Sequence, residues 1–159
     1  MGDIKWMQQA MELAYRNAAE GKGGPFACLV VKDGTIVGRG TNQVTTLGDP
    51  TAHAEVQAIR DACRQLGHFQ LDGCDVYTSC EPCPMCLGAL YWARPRAIYY
   101  GYSREEAAAI GFDDAFIYEE LARPIAARRI PMRRIESEAA TEFMDAFDLW
   151  SRMEGKVEY

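Results

Sequence analysis

The spacing of apolar and polar residues predicts a helix and then a β-hairpin at the start of the chain. Asp3 is a residue type that caps helices, and apolar residues recur on one helical face from Trp6 to Ala18. The glycine-rich stretch 21–24 ends this helix. Two β-rich segments follow and are joined by a turn signal at Asp33-Gly34; they lie at 25–32 and 35–40.

Helical and strand patterns alternate after a polar segment at 41–49, which we predict to be a loop. The next elements are a helix opened by Pro50 and closed by Gly67, a strand at 74–79, a helix at 81–93 and a strand at 97–102. Strands separated by helices imply parallel pairing, so we expect a mixed sheet between helices, with the first two strands antiparallel. In the last third, the pattern predicts helices at 105–109, 115–121 and 141–153 and a short strand at 132–135.

Length and composition indicate one globular domain spanning residues 1–159. The chain is 48% hydrophobic and 25% charged, which is ordinary for a folded protein, and its longest apolar run is far shorter than the roughly 20 residues of a membrane span. The first residues lack a secretory pattern, so we expect a cytoplasmic protein that does not bind membranes. The net charge of −6 has the wrong sign for binding a phosphate backbone, so we expect no nucleic-acid partner.

The cysteines point to metal chemistry because three of the six lie within seven residues. Cys83 and Cys86 are three residues apart at the start of a predicted helix, so one helical turn brings both sulfurs to one face. His53 opens another predicted helix and completes a set of three ligands. Three protein ligands leave a position for water, as in catalytic zinc sites. Glu55, which is not needed as a ligand, is placed to transfer protons.

Three other uses of the cysteines stay open at this point. A thioredoxin-like Cys-x-x-Cys motif is one of them, although it would leave His53 without a function. Cys80 could be a fourth ligand of a closed structural zinc site, in which case the chain would be a zinc-stabilised interaction module without catalysis. An iron–sulfur cluster of the bacterial ferredoxin type would require a cysteine at position 90, which is Leu90. A structural zinc would leave Glu55 without a function, which favours the open catalytic site.

The motif His53-Ala54-Glu55 followed by Pro82-Cys83-Pro84-Met85-Cys86 resembles the signature of zinc-dependent nucleobase deaminases. The chain is identified as a member of the cytidine deaminase superfamily, which implies an α/β fold: a three-layer α-β-α sandwich with a mixed five-stranded sheet. Within this superfamily it is similar to the bacterial guanine deaminases. The segments that carry this similarity are 23–26, 49–55, 77–83, 91–95, 111–114 and 158–159.

The resemblance implies hydrolysis of guanine to xanthine and ammonia, with one zinc ion per chain on His53, Cys83 and Cys86 and with Glu55 as the proton carrier. It also implies a homodimer in which a C-terminal segment of about residues 139–159 is exchanged between subunits. The implied contacts to the base come from Asn42 and the backbone amide of Ala54, from Phe26 and Trp92 in an apolar pocket, from Asp114, and from Tyr159 of the other subunit.

Asp114 gives this substrate assignment a physical basis. Guanine presents two adjacent donors, ring nitrogen 1 and the 2-amino group, to one carboxylate, whereas adenine presents an acceptor beside its amino group. The alternatives are a tRNA adenosine deaminase and a deaminase of cytosine or a nucleoside. The acidic net charge and the aromatic pair Tyr91-Trp92 disfavour the tRNA substrate.

Overall fold

The computed structural model describes residues 2–135 and 145–159, which form two compact units, Met1–Tyr118 and Glu119–Tyr159. The first unit contains α1 (Ile4–Ala19), β1 (Ala27–Lys32), β2 (Thr35–Thr41), α2 (Val44–Leu47), α3 (Ala54–Leu66), β3 (Asp75–Cys80), α4 (Pro84–Ala93), β4 (Ala97–Tyr102) and α5 (Arg104–Ala109). Helix α6 (Ala115–Ala122) begins in it, and a 3-10 turn (Ile125–Ala127) and α7 (Ala146–Arg152) follow. The single domain over 1–159 stays a prediction. No helix in the described residues has the length and hydropathy needed to cross a membrane.

The described strands form one mixed sheet in the order β2-β1-β3-β4. Strand β1 is antiparallel to both β2 and β3, and β3 is parallel to β4. The predicted direction of the strands is therefore confirmed, because β2, β3 and β4 all run the same way. Strand β2 does not pair with β3, the next strand along the chain, because β1 lies between them.

The expected fifth strand is wrong for the part of the chain that the structure describes, where the sheet has four strands. The segment 132–135 has no regular structure. Met132 is 57% and Ile135 is 89% exposed, so the burial that the apolar spacing implied is not realised. A strand of four residues makes too few ladder bonds to persist without a paired neighbour.

Helices cover both faces of the sheet, which confirms the three layers. Leu29 and Val31 of β1 pack with Ala10 of α1 on one face. Cys28 and Val30 of the same strand pack on the other face against α3 and α4. Successive side chains of a strand point to opposite faces, and here both faces are buried. This explains why β1 is a continuous apolar run.

Both helices that carry the zinc motif begin directly after a metal-ligand residue. His53 is the N-cap of α3 and Cys83 is the N-cap of α4, which confirms the predicted placement of both segments at helix N-termini. Helix α3 begins at Ala54 and not at Pro50. The reason is local: the backbone N–H and the hydroxyl of Thr51 both donate to Asp49 Oδ1, at 2.8 and 2.7 Å, and this turn competes with the helix. The predicted loop at 41–49 also contains the short helix α2.

The N-terminus of α3 lies directly on strand β2. A Cβ atom at Gly40 would lie 2.1 Å from the carbonyl oxygen of Ala54, so only glycine permits this approach. The close packing brings the first turn of α3, with Glu55, against the sheet. It thereby sets the position of the candidate site.

Candidate active site

His53, Cys83 and Cys86 come together as a metal-binding group. The Nδ1 atom of His53 lies 3.6 Å from Cys83 Sγ and 3.5 Å from Cys86 Sγ, and all three donor atoms are within 4.8 Å of one another. In a tetrahedral site with Zn–N of about 2.1 Å and Zn–S of about 2.3 Å, the N–S edge is about 3.6 Å. The donor types and their separations therefore fit one zinc ion.

Hydrogen bonds within the group favour a thiolate at Cys83. The Cys86 thiol and then the His53 ring lower the pKa of the Cys83 thiol to about 4, against an opposing effect of burial. The same contact with Cys83 raises the pKa of His53. The pKa of Cys86 is raised because its thiol is the donor to Cys83 and is buried. A thiolate is the form of cysteine that binds zinc, and Cys83 is the group whose pKa shift favours that form without a metal ion.

Cys80 lies outside the three-donor group within the part of the chain that the structure describes. Its sulfur donates to the carbonyl oxygen of Ser103 at 3.6 Å. Burial raises the pKa of its thiol to about 11. This placement supports the open site with three protein ligands over the closed site with four.

Glu55 lies in the first turn of α3 and is only 7% exposed. Its Oε1 atom accepts a hydrogen bond of 2.9 Å from the hydroxyl of Thr78 on β3. Burial raises the pKa of the Glu55 carboxyl. The carboxyl also interacts with the thiol of Cys86, so Glu55 lies directly beside the metal-binding group. Thr78 could not be predicted from the sequence, because 23 residues separate it from Glu55 and the pairing arises only in the folded protein.

A cavity of about 700 Å³ adjoins the metal-binding group, a volume in the usual range for small-molecule sites. All of its lining lies in the first compact unit. Most of the residues predicted from the sequence line it: Phe26, Asn42, His53, Ala54, Glu55, Cys83 and Asp114. Cys86 is fully buried beside His53. The structure thus brings the metal-binding group, Glu55 and most of the predicted base contacts to one place.

The polar atoms of the cavity wall have defined roles. The side-chain oxygen of Asn42 accepts from the backbone N–H groups of Gly24 and Val44, so its amide nitrogen is left to donate. The N–H of Ala54 is in the first turn of α3, where helical donors lack a partner four residues back. Asp114 is partly buried, and burial followed by the nearby Cys83 raises the pKa of its carboxyl.

Two aromatic residues contribute to the apolar part of the wall, together with Val44, Met85 and Ile117. Phe26 and Phe112 meet edge to face, with ring centroids 4.8 Å apart and ring planes at 90°. The sequence analysis assigned Phe26 to the pocket and missed Phe112, although Phe112 lies in the segment 111–114 that carries the family resemblance. The signal was therefore present, but nothing local distinguishes an aromatic in a pocket from one in the core.

Trp92 and Tyr159 are not among the residues that line the cavity. Trp92 is 63% exposed on α4, whose buried residues include Leu90 and Ala93. Tyr159 is 69% exposed and belongs to the second compact unit. Their contacts with the base stay predictions.

The fold and the site define a zinc-binding deaminase. Residues 2–102 match the family model described as the cytidine and deoxycytidylate deaminase zinc-binding region, and the chain belongs to this family. Over its full 159 residues it is 51% identical to guanine deaminase of Bacillus subtilis (strain 168), with all of both chains covered.

The X-ray structure of guanine deaminase from Bacillus subtilis superimposes with a TM-score of 0.93 at 50% identity, covering 100% of this chain and 99% of that one. The tRNA-specific adenosine deaminase of Agrobacterium fabrum (strain C58 / ATCC 33970) is 42% identical over 103 residues, which are 63% of this chain and 68% of that protein. The tRNA-specific adenosine deaminase of Aquifex aeolicus (strain VF5) matches 92% of this chain and 94% of its own length, but at 32% identity. The guanine deaminase is therefore distinguished by its higher identity over the full chain.

Proposed function

We propose that this protein is a zinc-dependent guanine deaminase that converts guanine and water into xanthine and ammonia. The observation that carries the proposal is the single cavity in which the metal-binding group and Glu55 share a wall with Asp114. The full-length similarity to a guanine deaminase supports the same substrate. In this reaction the bond from carbon 2 to the amino group breaks and a bond from carbon 2 to the water oxygen forms.

The zinc site and Glu55 have different roles in the reaction. Zinc held by His53, Cys83 and Cys86 supplies the Lewis acidity that makes a water molecule a nucleophile near neutral pH. Glu55 takes a proton from the attacking water at the oxygen that Thr78 does not hold. It delivers this proton to a ring nitrogen. It then takes the second proton from the hydroxyl now on carbon 2 and passes it to the amino group, which leaves as ammonia while carbon 2 becomes a carbonyl. The Thr78 hydroxyl keeps the carboxylate oriented while the proton moves.

Recognition of guanine follows from the donors and acceptors on the cavity wall. Asp114 accepts from the two adjacent donors of guanine, which adenine does not offer. The amide nitrogen of Asn42 and the backbone N–H of Ala54 donate to acceptors of the ring. Phe26 contacts the face or edge of the base and excludes water from the reaction.

We also propose that the enzyme is a homodimer in which segment 139–159 is exchanged and Tyr159 closes the site of the other subunit, with Trp92 adding to the pocket wall. Exposed aromatic residues support this assembly. Tyr91 on α4 is 75% exposed, and Phe147 on α7 is 88% exposed. Burial of such residues between subunits would stabilise the dimer. We also propose a cytoplasmic location, because none of the six cysteines forms a disulfide and the zinc site requires Cys83 and Cys86 to stay reduced.

A substrate panel tests the proposed function. Purified, zinc-loaded enzyme is incubated with guanine, adenine, cytosine, cytidine and tRNA, and ammonia release is followed for each, with the Glu55→Gln variant as the inactive control. We expect release from guanine and none from tRNA, since a net charge of −6 disfavours a nucleic-acid partner. Turnover of tRNA or cytosine in preference to guanine would contradict the substrate assignment. Stoichiometric zinc without turnover of any substrate would instead indicate a zinc-stabilised interaction module.

A further inference from the structure

Asn17 is a buried polar residue that the reaction does not use. It lies in the last turn of α1 and is only 4% exposed. Its side-chain nitrogen donates to the carbonyl oxygen of Gly24 at 2.8 Å and to that of Asn42 at 2.9 Å. Gly24 and Asn42 line the cavity, and Asn17 is not among the lining residues. One buried amide therefore joins two separate segments of the cavity wall from behind.

The side chain of Asn42 forms a second contact between the two joined segments. Its Oδ1 atom accepts from the backbone N–H groups of Gly24 and Val44, at 3.3 and 3.4 Å. These bonds are long, so on their own they orient the amide weakly. The bonds from Asn17 are short, and they hold the carbonyls of Gly24 and Asn42 together. The orientation of the Asn42 amide thus depends on a distance that Asn17 sets.

Close packing at Gly23 shows how tightly this part of the wall is built. A Cβ atom at Gly23 would lie 2.0 Å from the carbonyl oxygen of Asn42 and 3.1 Å from the side-chain nitrogen of Asn17. The backbone N–H of Lys22 also donates to the carbonyl oxygen of Asn17 at 3.0 Å. The glycine loop therefore lies against Asn17 and Asn42 with no space for a side chain. Without the Asn17 amide, the buried carbonyl of Asn42 would lose this donor. The part-buried carbonyl of Gly24 would keep only its bond from the backbone N–H of Phe26 at 2.8 Å.

We propose that Asn17 is a positioning residue for purine recognition. It holds the Gly23-Gly24 loop against the backbone of Asn42 and so presents the Asn42 amide nitrogen to the base. The inference rests on the proposed function, because it assigns Asn42 to the binding of guanine. It goes further in naming a residue outside the cavity that determines affinity for the base.

Asn17→Ala should weaken guanine binding and leave the metal site intact, since Asn17 bonds to neither the zinc ligands nor Glu55. In the Glu55→Gln background, which holds guanine without turnover, the Kd for guanine measured by calorimetry should rise about tenfold, as for the loss of one neutral hydrogen bond to the ligand. With active enzyme, KM should rise more than kcat falls. Zinc content should stay at one per chain.

A double-mutant cycle separates positioning from a general effect on folding. If Asn17 acts through Asn42, adding Asn17→Ala to Asn42→Ala should change the Kd by less than about twofold, because the contact it supports is already gone. Met7→Ala is the matched control, since Met7 packs from the same helix against the core and lies away from the cavity wall. It should lower stability and leave the Kd for guanine unchanged. Asn17→Ser, a milder change, is measured in the same way in case the alanine variant does not fold.

The outcomes distinguish the two proposals. A wild-type enzyme that does not deaminate guanine would overturn both. Normal wild-type turnover of guanine would support the proposed function. If Asn17→Ala then raised the Kd for guanine tenfold both with Asn42 present and in the Asn42→Ala variant, the assignment of Asn17 would be wrong. An unchanged Kd in Asn17→Ala and Asn17→Ser, or a loss of zinc in a folded variant, would overturn it as well.

Discussion

The hydrogen bond from Thr78 to Glu55 provides a sharp test of the catalytic arrangement. Thr78→Val removes the hydroxyl and keeps the shape of the side chain. Thr78 is 1% and Glu55 is 7% exposed, so water cannot readily replace the lost donor. A hydrogen bond to a charged group contributes about 1.5–3 kcal/mol, which corresponds to a factor of about 10–150 in rate. We therefore expect kcat for guanine to fall by about 10- to 100-fold.

The assay compares kcat, KM and zinc content of Thr78→Val with those of two other variants. Ser79→Ala is the matched control. Ser79 is the next residue on β3 and is also 1% exposed, but its Oγ atom accepts from the backbone N–H of Ala27 at 3.0 Å and does not touch Glu55. It should keep kcat near the wild-type value. Thr78→Ser retains the hydroxyl and should restore most of the rate.

Two results would refute this reasoning. Thr78→Val with one zinc per chain and more than half of the wild-type kcat would show that the hydrogen bond does not orient the proton carrier. An equal loss in Thr78→Val and Ser79→Ala would show that any change in β3 disturbs the site, and Thr78 would then have no particular role.

Four further predictions concern the metal, the proton carrier, the base and the tail. Cys80→Ser should retain one zinc per chain by metal analysis, and loss of zinc from a folded protein would favour the closed four-ligand site. Glu55→Gln should keep fold and zinc but lose turnover by about 10²–10⁴-fold, because an amide carries no proton; more than about a tenth of the wild-type rate would contradict this. Asp114→Asn should remove about 2–4 kcal/mol of transition-state stabilisation, so that kcat/KM for guanine falls by about 30- to 900-fold. Unchanged kinetics with lower stability would indicate that Asp114 has only a structural role. In a reassociated mixture of a Glu55→Ala chain and a chain truncated before Trp150, about half of the dimers are heterodimers. If the tails act in trans, each heterodimer has one complete site and roughly a quarter of wild-type activity should return; if they act in cis, none should return.

Features that depend on neighbours in the chain could be predicted from the sequence. Helix α1 has the predicted cap, since Asp3 accepts from the backbone N–H of Lys5. The hairpin turns at Asp33-Gly34, and β4 has the predicted bounds. Each of these features follows from capping, turn chemistry or periodicity over a few residues, and such signals involve only residues that are close in the sequence.

Errors arose where a local pattern competed with another interaction. The pattern from Pro50 onward is helical, yet the side chain of Asp49 holds Thr51 in a turn and delays the helix to Ala54. The segment 132–135 was expected to form a short strand, but a strand requires a neighbour to pair with, and 132–135 has no regular structure. The helix predicted at 141–153 is observed as α7, and residues 141–144 lie outside the described residues.

The sequence by itself determined the chemistry of the site. The three-residue spacing of Cys83 and Cys86 places two sulfurs on one helical turn, and His53 and Glu55 are the residue types that a catalytic zinc site requires. Only the tertiary structure decided how these segments meet. It brings His53 to Cys83 across 30 residues, Thr78 to Glu55 across 23, and Asn17 to Asn42 across 25. Periodicity fixes which face a side chain occupies, but which faces meet depends on strand order and close backbone approach, and these are settled only when the whole sheet and its helices pack together.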